Sequence, residues 1–284
     1  MRWRRIIVLL MALVAGCSAV RLSYQQGPLL AYWWLDGYAD FNAEQSPKVK
    51  AALADWFAWH RATQLPDYAQ ALAALQALAA EKLTGAQVCG QMAAWQQRAE
   101  QAYAQAVPAI AEQVRSLTPE QIKRIERQQN KKLAEAEADY LQDDPADRHK
   151  ALLKRNIDRA ETLYGKLSPA QLQLLTTQAL ANSPFKPELW LAERRQRQQD
   201  ILRQLSQWQS AHSDAAAVQA GLRQLGTAAL VSPRPAYQAH ADAVTQANCA
   251  LSAAVHNAAG APQRQHAVDK LKGWEDDLRA LAKR

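Results

Sequence analysis

Apolar residues recur every three or four positions through most of the chain, which is the spacing of one face of an α-helix. One such face comprises Ile122, Ile125, Gln129, Leu133, Ala136 and Tyr140, and a second comprises Leu153, Ile157, Ala160, Tyr164 and Leu167. The segment 143–148 between them, DDPADR, is typical of a turn. No stretch alternates apolar and polar residues for long enough to indicate a strand. The pattern therefore predicts an all-α fold, an elongated helical bundle with a long antiparallel helical hairpin.

A Leu-Thr/Ser-x-x-Gln pattern occurs three times, as LTGAQ, LTPEQ and LSPAQ. In a capping box, the hydroxyl at the helix start accepts from the backbone N–H three residues on, and the Gln side chain accepts from the N–H of the capping residue. The pattern predicts such boxes at Thr84 with Gln87, Thr118 with Gln121 and Ser168 with Gln171. The unequal spacing of the three boxes argues against a regular repeat.

Two further stretches raise the question of which side chains form the core. Leu30, Trp34, Tyr38 and Phe41 share one helical face, and Val49, Leu53 and Trp56 share another in the next helix. We expect these two faces to bury each other. Two alternatives stay open for Trp33, Trp34 and Tyr38, an aromatic belt at a membrane surface or a hydrophobic contact site for client chains or lipid.

The helix over 187–211 has a very polar centre, AERRQRQQD, which we expect to be exposed.

The first residues have the pattern of a targeting segment. Arg2, Arg4 and Arg5 precede ten apolar residues, too few to span a bilayer, and then comes Ala-Gly-Cys17. This ending resembles the lipobox of bacterial lipoproteins, with Val14 where Leu is commoner. The resemblance implies a signal peptide over 1–16, acylation of Cys17, a lipidated tether over 17–27 and one all-helical periplasmic domain over 28–284. It also implies a membrane partner through the Cys17 lipid, and Ser18 favours the outer membrane. The alternative is a secretory signal with an incidental cysteine.

Two cysteines remain after Cys17. In an oxidising compartment, Cys89 and Cys249 form a candidate disulfide, and the alternative is two buried free thiols.

No catalytic or metal-binding motif is visible in the sequence. None of the six histidines has a second histidine four residues away, so there is no zinc pattern of that kind, and no Gly-rich phosphate loop is present. Without the three arginines of the first 16 residues, the formal charge falls from +7 to +4, which does not favour nucleic acid as a partner. We therefore expect a protein that is not an enzyme and has no cofactor and no metal.

Two family resemblances bear on function. The three boxes resemble the LTxxQ motif of small periplasmic stress and chaperone proteins such as Spy and CpxP. The stretches YQQGPLLAYWWLDGYADFN and KVKAALADWFAWHRATQLPDYAQAL resemble the start of a family of uncharacterised proteobacterial lipoproteins. Together they imply an outer-membrane lipoprotein facing the periplasm, a non-enzymatic binding or chaperone-like module that acts on unfolded or envelope proteins. The alternatives are an enzyme of cell-wall or lipid metabolism and a scaffold subunit.

Overall fold

The structure, a computed structural model, describes residues 19–177 and 183–283. Helices α1 to α6 span Ala19–Gln25, Gly27–Ala39, Gln45–Trp59, Leu65–Ala80, Gly85–Arg115 and Pro119–Tyr140. Helices α7 to α12 span Pro145–Tyr164, Pro169–Thr176, Pro187–Ser210, Ala215–Leu230, Pro235–Asn257 and Ala261–Ala282. A π-helical turn, His60–Gln64, joins α3 to α4. Within these ranges there is no strand, which confirms the all-α prediction. The predicted signal peptide and Cys17 lie outside the described residues.

The core lies between pairs of long helices that are distant in sequence. Helix α4 packs against α12, and α5 packs against both α10 and α11. Val107 and Ala111 of α5 are fully buried with Val218 of α10. Because α10, α11 and α12 are the partners of α4 and α5, residues 215–283 are an integral part of the fold.

Both apolar faces of the predicted hairpin pack mainly against other helices, with buried residues in α6 and half-buried ones in α7. In α6, Leu133 and Ala136 pack with Leu191 of α9. In α7, Ile157 belongs to a cluster with Val255 of α11. The sequence predicts the turn over 143–148, but the connection between α6 and α7 is residues 141–144, and each helix packs chiefly against later parts of the chain.

A folded helix begins within the predicted tether over 17–27. Helix α1 starts at Ala19 and packs against α12, where the Arg21 Nε donates to an Asp277 carboxylate oxygen at 2.7 Å. The Tyr24 hydroxyl lies 2.9 Å from the His60 Nδ1. The sequence did not predict these two contacts, because the segment is short and its partners lie far along the chain.

The expectation of an exposed centre in α9 is wrong at Glu193, whose side chain is only 3% exposed. Its carboxylate accepts from the Arg234 Nε and Nη2 at 2.5 and 2.8 Å, from the Arg197 Nε at 2.8 Å and from the Ser232 Oγ at 2.8 Å. Arg234 also donates to Asp200 at 3.0 Å. This cluster ties α9 to the connection between α10 and α11, and the burial of the carboxylate is tolerated because it is paired several times over.

The Glu193 cluster should make the protein sensitive to acid. Burial raises the pKa of Glu193, but hydrogen bonds from Arg234, Ser232 and Arg197 outweigh it and lower the pKa from 4.5 to about 2. The stabilisation is therefore complete above about pH 4.5 and is lost as the pH falls toward 2. We expect roughly 2 kcal/mol of the free energy of unfolding to disappear over that window, measured by urea titration. In Glu193→Gln this part of the pH dependence should be absent, and an unchanged pH profile would contradict the assignment.

Candidate functional site

An exposed apolar surface lies on α2, and we call its four side chains, Leu29, Leu30, Trp33 and Trp34, the aromatic surface. Their exposed fractions are 40%, 48%, 58% and 63%. At 100° per residue these positions fall within about 140° of one side of the helix. The prediction that Leu30 and Trp34 belong to the core is therefore wrong, whereas Tyr38 is half-buried with its ring 4.9 Å from that of Trp34.

The opposite side of α2 is the one that faces the protein. Tyr32 is 8% exposed and Ala39 is 5% exposed. The Tyr32 hydroxyl donates to the Ser46 Oγ at 3.0 Å, and the backbone N–H of Phe41 donates to the Asp36 carboxylate at 3.0 Å. Because α2 is apolar on both sides, periodicity identified its faces without indicating which one is buried.

The junction between α1 and α2 holds the aromatic surface in a fixed direction. A Cβ at Gly27 would lie 2.5 Å from the ring of Phe57, so only glycine permits this close approach to α3. The Tyr24 ring packs on Phe57 with 5.5 Å between ring centroids. Burial lowers the pKa of His60, so at neutral pH its Nδ1 can accept the Tyr24 hydroxyl hydrogen.

The face of α3 that was expected to cover the α2 aromatic residues has other partners. The Trp56 Nε1 donates to the Ala102 carbonyl of α5 at 3.0 Å, and the Trp56 ring stacks on His60 at 4.7 Å. Val49 is buried, at 3% exposure, but Trp56 points toward α5 and the π-helical turn, and Phe57 contacts Tyr24 and Gly27 rather than the aromatic surface. The aromatic surface thus remains open to solvent after the described chain has folded.

Adjacent residues of α2 should respond very differently to truncation. We expect Trp33→Ala to change the free energy of unfolding by less than about 0.5 kcal/mol, because the ring is largely exposed. Tyr32→Ala should cost roughly 3 kcal/mol, since it removes a buried ring and its hydrogen bond to Ser46. Urea denaturation of the two single variants measures both effects. Equal losses would contradict the orientation of α2.

The structure joins Cys89 of α5 to Cys249 of α11, as the disulfide prediction states. The S–S distance is 2.09 Å and the Cα–Cα distance is 5.4 Å, across 160 residues of sequence. Cys249 is 1% exposed, and its Sγ lies 3.6 Å from the Met92 sulfur. The bond links two helices that already pack against each other.

All three predicted capping boxes are present. The hydroxyl oxygens of Thr84, Thr118 and Ser168 accept from the N–H of Gln87, Gln121 and Gln171 at 3.2, 3.2 and 3.3 Å. The three Gln side chains accept from the N–H groups of the capping residues at 2.8, 2.9 and 2.9 Å. The boxes differ in burial, since Gln87 is exposed while Gln121 and Gln171 are 7% and 0% exposed.

The two buried boxes are each paired with the Gln of a second helix start, which the sequence analysis did not predict. The Gln121 Nε2 donates to the Gln45 Oε1 at 2.7 Å, and the Gln45 Nε2 donates to the carbonyl of Ser116 at 2.7 Å. Gln45, the first residue of α3, accepts from the N–H of Asn42 at 3.1 Å, and the Asn42 Oδ1 accepts from the N–H of Gln45 at 2.9 Å. The signal was present as NAEQ at residues 42–45, an N-cap residue followed three positions later by Gln.

The second pair has the same arrangement. The Gln263 Nε2 donates to the Gln171 Oε1 at 2.8 Å and to the Lys166 carbonyl at 2.9 Å. The Gln171 Nε2 donates to the Val255 carbonyl at 3.2 Å, and Gln263 accepts from the N–H of Gly260. Lys166 and Ser116 occupy the same place, two residues before their caps. The two pairs share this geometry. It indicates that the buried boxes join helix starts to each other, which is a structural role.

Other parts of the described chain are weaker candidates for a functional site. Between α6 and α9 lies an open groove of about 760 Å³, lined by Ile122 and Leu202 together with charged side chains such as Lys123 and Arg203. Over residues 19–177 and 183–283, no group of three or more His, Cys, Asp or Glu is placed to hold a metal ion. None of the helices in those ranges is long and apolar enough to cross a membrane.

Comparison with known proteins shows the family of the chain. Residues 37–224 match the model of a family of unknown function, DUF6279. The chain belongs to this family. The match includes all three boxes, at Thr84, Thr118 and Ser168, and excludes the aromatic surface, Cys249 and the partner residue Gln263. Searches of curated proteins and of solved structures gave no match.

Proposed function

We propose that the chain is a lipid-anchored protein of the bacterial cell envelope that acts by binding rather than by catalysis, with the aromatic surface as its contact site. The observation that carries this proposal is the exposure of Trp33 and Trp34, at 58% and 63%, on a helix whose other side is fixed in the core. Contiguous exposed apolar side chains on a folded protein mark interaction sites more often than scattered ones do. Large aromatic rings also contribute strongly to binding energy.

The proposed anchor is Cys17, two residues before α1, within the segment that resembles a lipobox. The Cys89–Cys249 disulfide supports an oxidising compartment such as the periplasm. The proposed location is the periplasmic face of the outer membrane, and the resemblance of the boxes to the LTxxQ motif supports a chaperone-like or stress-related role.

Site-specific photo-crosslinking in living bacteria tests the contact site. We expect a photoreactive amino acid in place of Trp34 to form covalent adducts with an envelope component. The matched control is Leu189, an apolar residue of α9 that is 42% exposed, and the same replacement there should give none. Adducts at neither position, or equally at both, would contradict the proposal.

A further inference from the structure

The aromatic surface lies where an acylated Cys17 would hold it next to a bilayer. Ala19 lies two positions after Cys17, and two extended residues span at most about 7 Å. Helix α1 has seven residues, a length of about 10 Å, and Gly27 of α2 follows after a single residue. This step rests on the anchoring proposed above. If that anchoring is correct, the start of α2 cannot be far from the headgroups.

The contacts of α1 prevent it from acting as a loose spacer. Arg21 pairs with Asp277 of α12 and Tyr24 contacts His60, so the first helix is bound to the body of the protein at two points. Gly27 against Phe57 then fixes the start of α2 on α3. The direction in which Trp33 and Trp34 project is therefore determined by the fold.

The chemistry of the surface fits the interface between headgroups and acyl chains. Tryptophan concentrates at that depth because its ring is apolar and its indole N–H can hydrogen-bond. Leu22 and Leu30 add exposed aliphatic area, at 60% and 48% exposure. Between residues 19 and 35 the sequence has no Asp or Glu, so no carboxylate of this segment opposes anionic headgroups.

We infer that the aromatic surface inserts into the interface of the same bilayer that holds Cys17, so that α2 is a second membrane contact and orients the whole domain. The position of this surface directly after the anchor favours the bilayer as its partner.

Quenching by brominated lipid tests this inference. The full-length protein is produced in bacteria, purified in its processed form and reconstituted in phosphatidylethanolamine–phosphatidylglycerol vesicles with or without brominated acyl chains. We expect bromine to lower the tryptophan emission, and Trp33→Phe/Trp34→Phe to lose most of that quenching. The control is Trp190→Phe, whose ring packs against Tyr140 and should keep the quenching of the wild-type protein. Far-UV circular dichroism checks that all variants are folded.

The inference and the proposed function can fail separately in this experiment. Mass spectrometry of the same samples shows whether Cys17 is acylated, and an unmodified Cys17 would contradict the proposed anchoring. An acylated Cys17 with no bromine quenching would overturn the inference while leaving the anchor in place. Quenching that is the same in the double variant would overturn it too. If photo-crosslinks from position 34 join the chain to proteins and bromine has no effect, the surface binds client proteins instead.

Discussion

Replacing Cys89 and Cys249 together by alanine is expected to lower the free energy of unfolding by about 3–5 kcal/mol. The disulfide closes a loop of 160 residues, and the restriction of so long a loop in the unfolded chain is worth about 5 kcal/mol in the entropic estimate. Urea denaturation of the oxidised protein and of the variant measures the difference.

The wild-type protein in a reducing agent is the matched control, because reduction breaks the bond without removing a side chain. Its stability should fall to near that of the double variant, whereas the variant itself should not respond to the reductant. A wild-type protein whose urea midpoint is the same in both redox states would contradict a stabilising bond between α5 and α11.

Substitution of Gln171 by leucine should cost about 2–4 kcal/mol. The side chain is fully buried and serves three partners, the N–H of Ser168, the carbonyl of Val255 and the amide of Gln263. Leucine has a similar volume but leaves these groups without a hydrogen bond in a site closed to water. The loss should appear as a lower free energy of unfolding in urea.

Gln87 occupies the same position of a box that is exposed to solvent, and it is the natural control. Gln87→Leu should cost only about 0.5–1 kcal/mol, because water replaces the lost cap at Thr84. If the two substitutions had equal effects, the pairing of Gln171 with Gln263 would not contribute to stability.

Local features of the sequence predicted local structure well. Each Leu-Thr/Ser-x-x-Gln pattern starts a helix, because a capping box is completed within four residues. The apolar faces of α6 and α7 are the faces that pack, since a spacing of three or four residues defines one side of a helix wherever its partner lies. Partners were harder to assign, because α9 and α11 reach these faces from distant parts of the chain.

The candidate site shows more clearly what the periodicity of the sequence does not predict. Tyr32 and Trp33 are adjacent aromatic residues. Tyr32 is buried and Trp33 is exposed, because Ser46 and the body of the protein lie on the Tyr32 side of α2. Glu193 belongs to a very polar stretch, and its burial depends on Arg234, 41 residues later. In both places the decisive contacts are long-range ones, which periodicity does not encode.

The most direct test of the central claim, that this is a lipid-anchored envelope protein, is the mass of the N-terminal peptide of the protein purified from bacterial membranes. We expect a peptide that begins at Cys17 and carries acyl groups. A peptide that begins elsewhere, or an unmodified Cys17, would contradict it.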